Sequence, residues 1–115
     1  MEAIEEFGAE NWAGQVLGAD DPVLVDFRAP WCDPELFQTQ TLEQLRGEWL
    51  DLVRIGTVDV ARFTKVIFQY RIQEFPTLAL FQAGHLVKAF GGSRRVERMK
   101  AWLMDRQDPD QNQAS

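Results

Sequence analysis

The chain has 115 residues, 45% of them apolar, with 12 Lys and Arg against 18 Asp and Glu and a net charge of −6. That length suits one domain with a single core, and the acidic balance leaves no surplus of cations for the phosphates of a nucleic acid or an anionic membrane. No apolar run approaches the roughly 20 residues a spanning helix needs. Met1 to Glu6 lacks the basic start and apolar stretch of a secretory signal, so a soluble cytoplasmic protein is expected.

In chain order, Ile4 to Phe7 suits a short edge strand, and Glu10 to Leu17 a helix with Trp12, Val16 and Leu17 on one side. The turn-forming run Gly18-Ala19-Asp20-Asp21-Pro22 ends it. Val23 to Phe27 is apolar except for Asp26, the pattern of a strand buried on both faces. Cys32 to Trp49 predicts a long helix, with Asp33 and Pro34 suited to its first turn and Leu36, Leu42, Leu45, Trp49 and Leu50 forming a partial apolar face. Leu52 to Val60 alternates as a second central strand, and Ala61 to Tyr70 predicts a helix.

Thr77 to Phe81 and Leu86 to Phe90 form two strands joined at Gln82-Ala83-Gly84-His85, a hairpin signal. Gly91-Gly92 breaks the chain, Val96, Met99, Trp102 and Leu103 line one face of a last helix, and 107–115 is a polar, frayed tail beyond a domain of residues 1–106. The order β-α-β-α-β-α-β-β-α implies an α/β fold. Its central mixed sheet has about five strands, largely parallel, with helices on both faces and an antiparallel hairpin at one edge.

Four marks occur in order and at matching spacing: Val23-Leu24-Val25-Asp26-Phe27, Ala29-Pro30-Trp31-Cys32-Asp33-Pro34, Phe75-Pro76-Thr77, and the glycines Gly84 and Gly92. Together they resemble the thioredoxin family from about Ile4 to Met104. The resemblance implies the thioredoxin-like fold, an attacking thiol at Cys32, a proton-relaying acid at Asp26, a cis-proline at Pro76 and no cofactor. The departures bear on chemistry. Glu35 stands where the family has its resolving cysteine, Arg28 where it usually has tryptophan, Thr57 where many members have a lysine beside the buried acid, and Glu74 where a small residue is usual.

Cys32 is the sole cysteine, so a dithiol reductase cycle within one chain is excluded. A helix N-terminus favours its thiolate, whereas Asp33 and Glu35 oppose a further negative charge. A single thiolate can still form a mixed disulfide, whose resolution needs an outside thiol such as glutathione. With Thr57 in place of a lysine, an ion pair at Asp26 is not expected. A hydroxyl hydrogen bond is the natural substitute, and replacing a buried acid of that kind with Asn or Ala is expected to raise stability.

Trp31, Val60, Phe75, Pro76, Gly91 and Gly92 are expected to form an apolar rim around Cys32, suited to an extended segment of a partner protein. His85 belongs to a turn at the opposite end of the sheet, and no set of metal ligands is present in the sequence. Asp33 and Glu35 lie too close together for a paired-carboxylate hydrolase. Arg94, Arg95, Arg98 and Lys100 are expected to form a solvated basic face. Two function classes stay open: a protein-binding module, and a monothiol thiol–disulfide exchanger.

Overall fold

A computed structural model describes residues 4–31, 39–49, 53–91, 98 and 101–102. Five strands, β1 (Glu5–Phe7), β2 (Val23–Arg28), β3 (Arg54–Asp59), β4 (Thr77–Gln82) and β5 (His85–Gly91), form one mixed sheet in the order β1-β3-β2-β4-β5. β3 runs parallel to both β1 and β2, and β4 runs antiparallel to both β2 and β5. The described helices are α1 (Thr39–Trp49), α2 (Lys65–Gln69) and a π-helical turn over Ala13–Leu17. Residues 98, 101 and 102 are also helical, consistent with the last helix read from the sequence.

β2 occupies the centre of the sheet, and every residue from Val23 to Phe27 is buried. Alternation sends successive side chains to opposite faces. Val23, Val25 and Phe27 enter an aromatic-rich cluster with Phe7, Trp12 and Phe81, whereas Leu24 joins Leu42 and Leu45 of α1. Trp12 is the hub of the first cluster. The rings of Phe7, Phe27, Phe63, Tyr70 and Phe81 have centroids 5.2–6.4 Å from its own, in tilted or edge-on geometry. Its indole Nε1–H is buried without a hydrogen-bond partner, a cost of about 1–3 kcal/mol that this packing must offset.

The sheet edge at β1 is secured by charge and by a missing side chain. Arg54 of β3 donates to both carboxylate oxygens of Glu5 at 2.7 and 2.9 Å and also reaches the side chain of Gln15, joining β1, the π turn and β3. The hydrogen bond to Glu5 raises the guanidinium's pKa above its ordinary value against the lowering effect of burial. Gly56 faces Glu5 in the register, and the ring of Phe7 fills the space its Cβ would need.

Two helices are shorter than the sequence pattern suggests. The predicted helix over 10–17 narrows to the π turn, closed by Gly18 N–H to Ala13 C=O at 2.8 Å. The predicted helix over 61–70 begins only at Lys65. Asp59 ends β3 and organises the intervening turn, its Oδ1 accepting from Ala61 N–H and its carbonyl from Arg62 and Phe63 N–H. Tyr70 caps α2 and Arg71 follows at φ 56°, while Ile72 N–H returns to Ile67 C=O at 2.9 Å. This is the six-to-one bond of a Schellman ending, with arginine where glycine is usual.

The hairpin loop Ala83-Gly84 has positive φ at both residues, 54° and 81°, as a type I′ connection requires. The predicted apolar positions Leu36 and Leu50, with Val96, Met99 and Leu103 of the last helix and the tail 107–115, lie outside the described residues.

Arg71→Gly is expected to raise stability by about 0.5–1 kcal/mol. It relieves a left-handed conformation that costs a side-chain-bearing residue about 1–2 kcal/mol, and part of that gain is lost to the greater freedom of the unfolded chain. Urea denaturation midpoints at unchanged slope would measure it.

Candidate docking and thiol site

The topology gathers one end of the sheet. The parallel strands β2 and β3 finish there, at Arg28 and Asp59, and Val60 N–H extends their ladder to Arg28 C=O at 2.9 Å. β4 begins at the same end, with Thr77 opposite Phe27, and β5 ends there, with Gly91 opposite Thr77. Crevices beyond the carboxyl ends of parallel strands are common ligand sites. His85 pairs with Gln82 at the opposite end of the hairpin and is exposed, so it stands apart from this site.

At the gathered end the chain leaves β2 through Ala29 and Pro30 to Trp31, which is 66% exposed. The Trp31 ring meets the half-buried Phe75 ring edge-on, with centroids 5.9 Å apart and planes at 90°. The Phe75–Pro76 peptide bond is cis, Pro76 is buried, and Thr77 Oγ1 donates to Glu74 C=O at 2.5 Å, pinning the segment from its far side. Gly91 is half-buried next to this segment, and the side chain of Glu74 fills the space a Cβ on Gly91 would take. Val60 does not belong to the rim. It is completely buried in the aromatic-rich cluster because β3 carries it inward, so it supports the surface rather than presenting one. Cys32, Asp33, Pro34, Glu35 and Gly92 lie outside the described residues. Cys32 follows Trp31 directly in the chain.

Asp26 corrects the sequence reading most sharply. It is fully buried, and it is ion-paired: Arg28 Nη2 donates to Asp26 Oδ2 at 2.8 Å. Thr57 does stand beside Asp26 in the β2–β3 register, as the resemblance implies. The countercharge, however, comes from β2 itself. Positions 26 and 28 share a face of the strand, and the Arg28 side chain, 19% exposed, reaches inward from the strand end. The departure from tryptophan at 28 therefore makes good the missing lysine at 57, a link that the i, i+2 spacing could have signalled. A paired carboxylate has a reason to stay charged that an isolated buried acid lacks.

Comparison with known proteins agrees with this architecture. The thioredoxin family model matches residues 3–105. A thioredoxin-like protein of Synechocystis is 33% identical over 89 residues, covering 77% of this chain and 85% of that protein. Thioredoxin C-2 of Corynebacterium nephridii is 35% identical over 94 residues, covering 82% and 87%. The thioredoxin of Alicyclobacillus acidocaldarius is 35% identical over 91 residues, covering 79% and 87%. With its five-stranded mixed sheet and these similarities, the chain belongs to the thioredoxin family. Within the family it carries one cysteine, with glutamate at position 35.

The ion pair reverses the expected effect of replacing Asp26. Asp26→Asn leaves the mostly buried Arg28 guanidinium without its carboxylate and is expected to lower stability by about 1–3 kcal/mol at neutral pH. Combining it with Arg28→Met should cost at least about 1 kcal/mol less than the sum of the single variants. Equilibrium denaturation of the four proteins checks both values. Stabilisation by Asp26→Asn would count against the pair.

Proposed function

We propose that the protein is a thioredoxin-family binding module. It holds extended segments of partner proteins beside the Cys32 loop and cis-Pro76, with at most monothiol thiol–disulfide exchange. The observation that carries this reading is the exposed Trp31 ring set edge-on against Phe75, next to the cis Phe75–Pro76 bond. A large, edge-packed aromatic surface gives apolar contact area to a partner. An extended partner segment gains main-chain hydrogen bonds that do not depend on its sequence. Trp31, Phe75, Pro76, Gly91 and Gly92 are the contact residues in this reading, Val60 lies beneath them, and the module works without a cofactor, in the cytoplasm.

The retention of Cys32 supports a second reading, an active monothiol oxidoreductase. In it the Cys32 thiolate attacks one sulfur of a partner disulfide. The partner's disulfide bond breaks, a mixed disulfide forms on Cys32, and the partner's other sulfur leaves as a thiolate. An external thiol such as glutathione then attacks the partner's sulfur in that adduct. It becomes joined to the partner and returns Cys32 as thiolate. Glu35 has no sulfur with which to take the place of this second thiol, and Asp26 is engaged by Arg28.

Insulin reduction in the presence of glutathione separates the two. The binding module is expected to match its Cys32→Ser variant, and turnover well above that control favours monothiol exchange. For binding, Trp31→Ala is expected to weaken the capture of fluorescein-labelled unstructured peptides by about tenfold, the loss typical of a central aromatic anchor. Cys32→Ser should leave that affinity within about twofold. Anisotropy titrations that show no effect of Trp31→Ala would refute the docking surface.

A further inference from the structure

Next to the Trp31–Phe75 pair, the segment from Tyr70 to Glu74 and the strands β4 and β5 enclose an open groove of about 180 Å³. Its floor and walls include Phe27, Ile72, Ala79, Leu86 and Ala89, of which Leu86 is an exposed large apolar residue. At the end shared with the cis-proline segment the groove is bounded by Glu74 and Gly91. The absence of a side chain on Gly91 leaves room for the exposed Glu74 side chain to lie against β5 at that position. Its backbone is held by the bond from Thr77 Oγ1, so the carboxylate has a fixed root. Glu74 takes part in neither the Arg28–Asp26 nor the Arg54–Glu5 ion pair. Arg71, three residues earlier, is the other charged residue on the groove.

We infer that Glu74 makes this docking surface selective for basic partner segments: extended peptides that place an apolar side chain in the groove and a Lys or Arg against the Glu74 carboxylate. The inference rests on the binding reading above and specifies its partner. Three features of the chain converge on a cationic ligand. A carboxylate lies at the lip of an apolar groove, where a partner's long basic side chain can cover apolar surface with its methylenes and bring its charge to the carboxylate. The whole chain carries −6, so its field attracts cationic segments and slows the approach of acidic ones. The sequence that follows Trp31 carries Asp33 and Glu35 and no Lys or Arg before Arg46. An acidic segment placed on the same surface would set like charges side by side, which supplies discrimination as well as affinity.

The test uses the full chain and three fluorescein-labelled peptides, identical except for Lys, Gln or Glu at one position two residues from a leucine, titrated by anisotropy. The Lys peptide is expected to bind about threefold to fivefold more tightly than the Gln peptide, the scale of one exposed charge pair, and the Glu peptide more weakly than either. The preference should disappear in Glu74→Gln, reverse in Glu74→Lys and shrink as salt is raised. Arg71→Gly, which removes the other charge on the groove, should leave the Lys preference intact or enlarge it. Equal affinity of the wild-type protein for the Lys and Gln peptides, or an unchanged preference in Glu74→Gln, overturns the role of Glu74 while leaving the docking surface standing. Failure of all three peptides to bind overturns both. Glu74 is exposed, so circular dichroism of the variants separates loss of preference from loss of fold.

Discussion

A carboxylate enclosed at the middle of the central strand is the constraint around which this molecule is arranged. Asp26 has no exposed surface, and β2 is covered on both sides by apolar side chains. An ionised group in that position is tolerated only with a partner. The chain finds one on the same strand: Arg28 lies beyond the enclosed stretch, keeps part of its side chain in contact with solvent, and turns its guanidinium back to the acid. This arrangement lets the charge be neutralised without opening the core to a cation from β3, where Thr57 now stands. It also changes what the acid is for. The carboxylate is engaged by a guanidinium, and the position of the thiol that the family's acid serves is held by Glu35.

The other face of β2 shows how the site end of the sheet is kept in place. Trp12 reaches the rings of Phe27 and Phe81, which belong to adjacent strands, and those of Phe63 and Tyr70, which flank α2. One indole thus ties the π turn, the sheet and the α2 crossover together. Tyr70 and Ile72 then carry the chain from α2 into the cis-proline segment, so the position of Phe75 is inherited from this cluster. The exposed Trp31–Phe75 contact is the outermost layer of aromatic packing that starts in the core.

Sequence patterns exposed the strands better than the helices. β2 and β4 are short apolar runs that can be satisfied only by burial on two faces, and the hairpin loop carries its own conformational signature at Ala83-Gly84. The segments 10–17 and 61–70 have helical spacing, yet Gly18 and Asp59 redirect the backbone locally, and tertiary contacts decide how much of each pattern becomes helix. The burial of Val60 was hidden because a residue just past a strand end reads equally well as rim or core. The role of Arg28 was hidden for a different reason. At its own position it reads as a departure from the family's usual tryptophan, whereas its physical meaning lies in the charge two residues away.

Thiol chemistry and partner recognition place different demands on the same end of the sheet, and this chain meets them unequally. Dithiol exchange needs a second sulfur and an acid free to move a proton, and neither requirement is met by Glu35 or by an Asp26 that is paired to Arg28. Recognition needs a fixed backbone, exposed apolar area and a charge in a defined place. Those parts are built from the fold itself: the cis Phe75–Pro76 bond is anchored by Thr77, Trp31 is braced on Phe75, and Glu74 is laid over Gly91 by the lack of a side chain there. The substitutions at 35 and 74 both put carboxylates where the family has cysteine or a small residue. The first position no longer offers a resolving thiol, and the second adds a carboxylate at the edge of the apolar groove. On the proposed binding reading both changes suit a surface that selects the segment it holds, because the parts that would meet a partner do not depend on the resolving thiol.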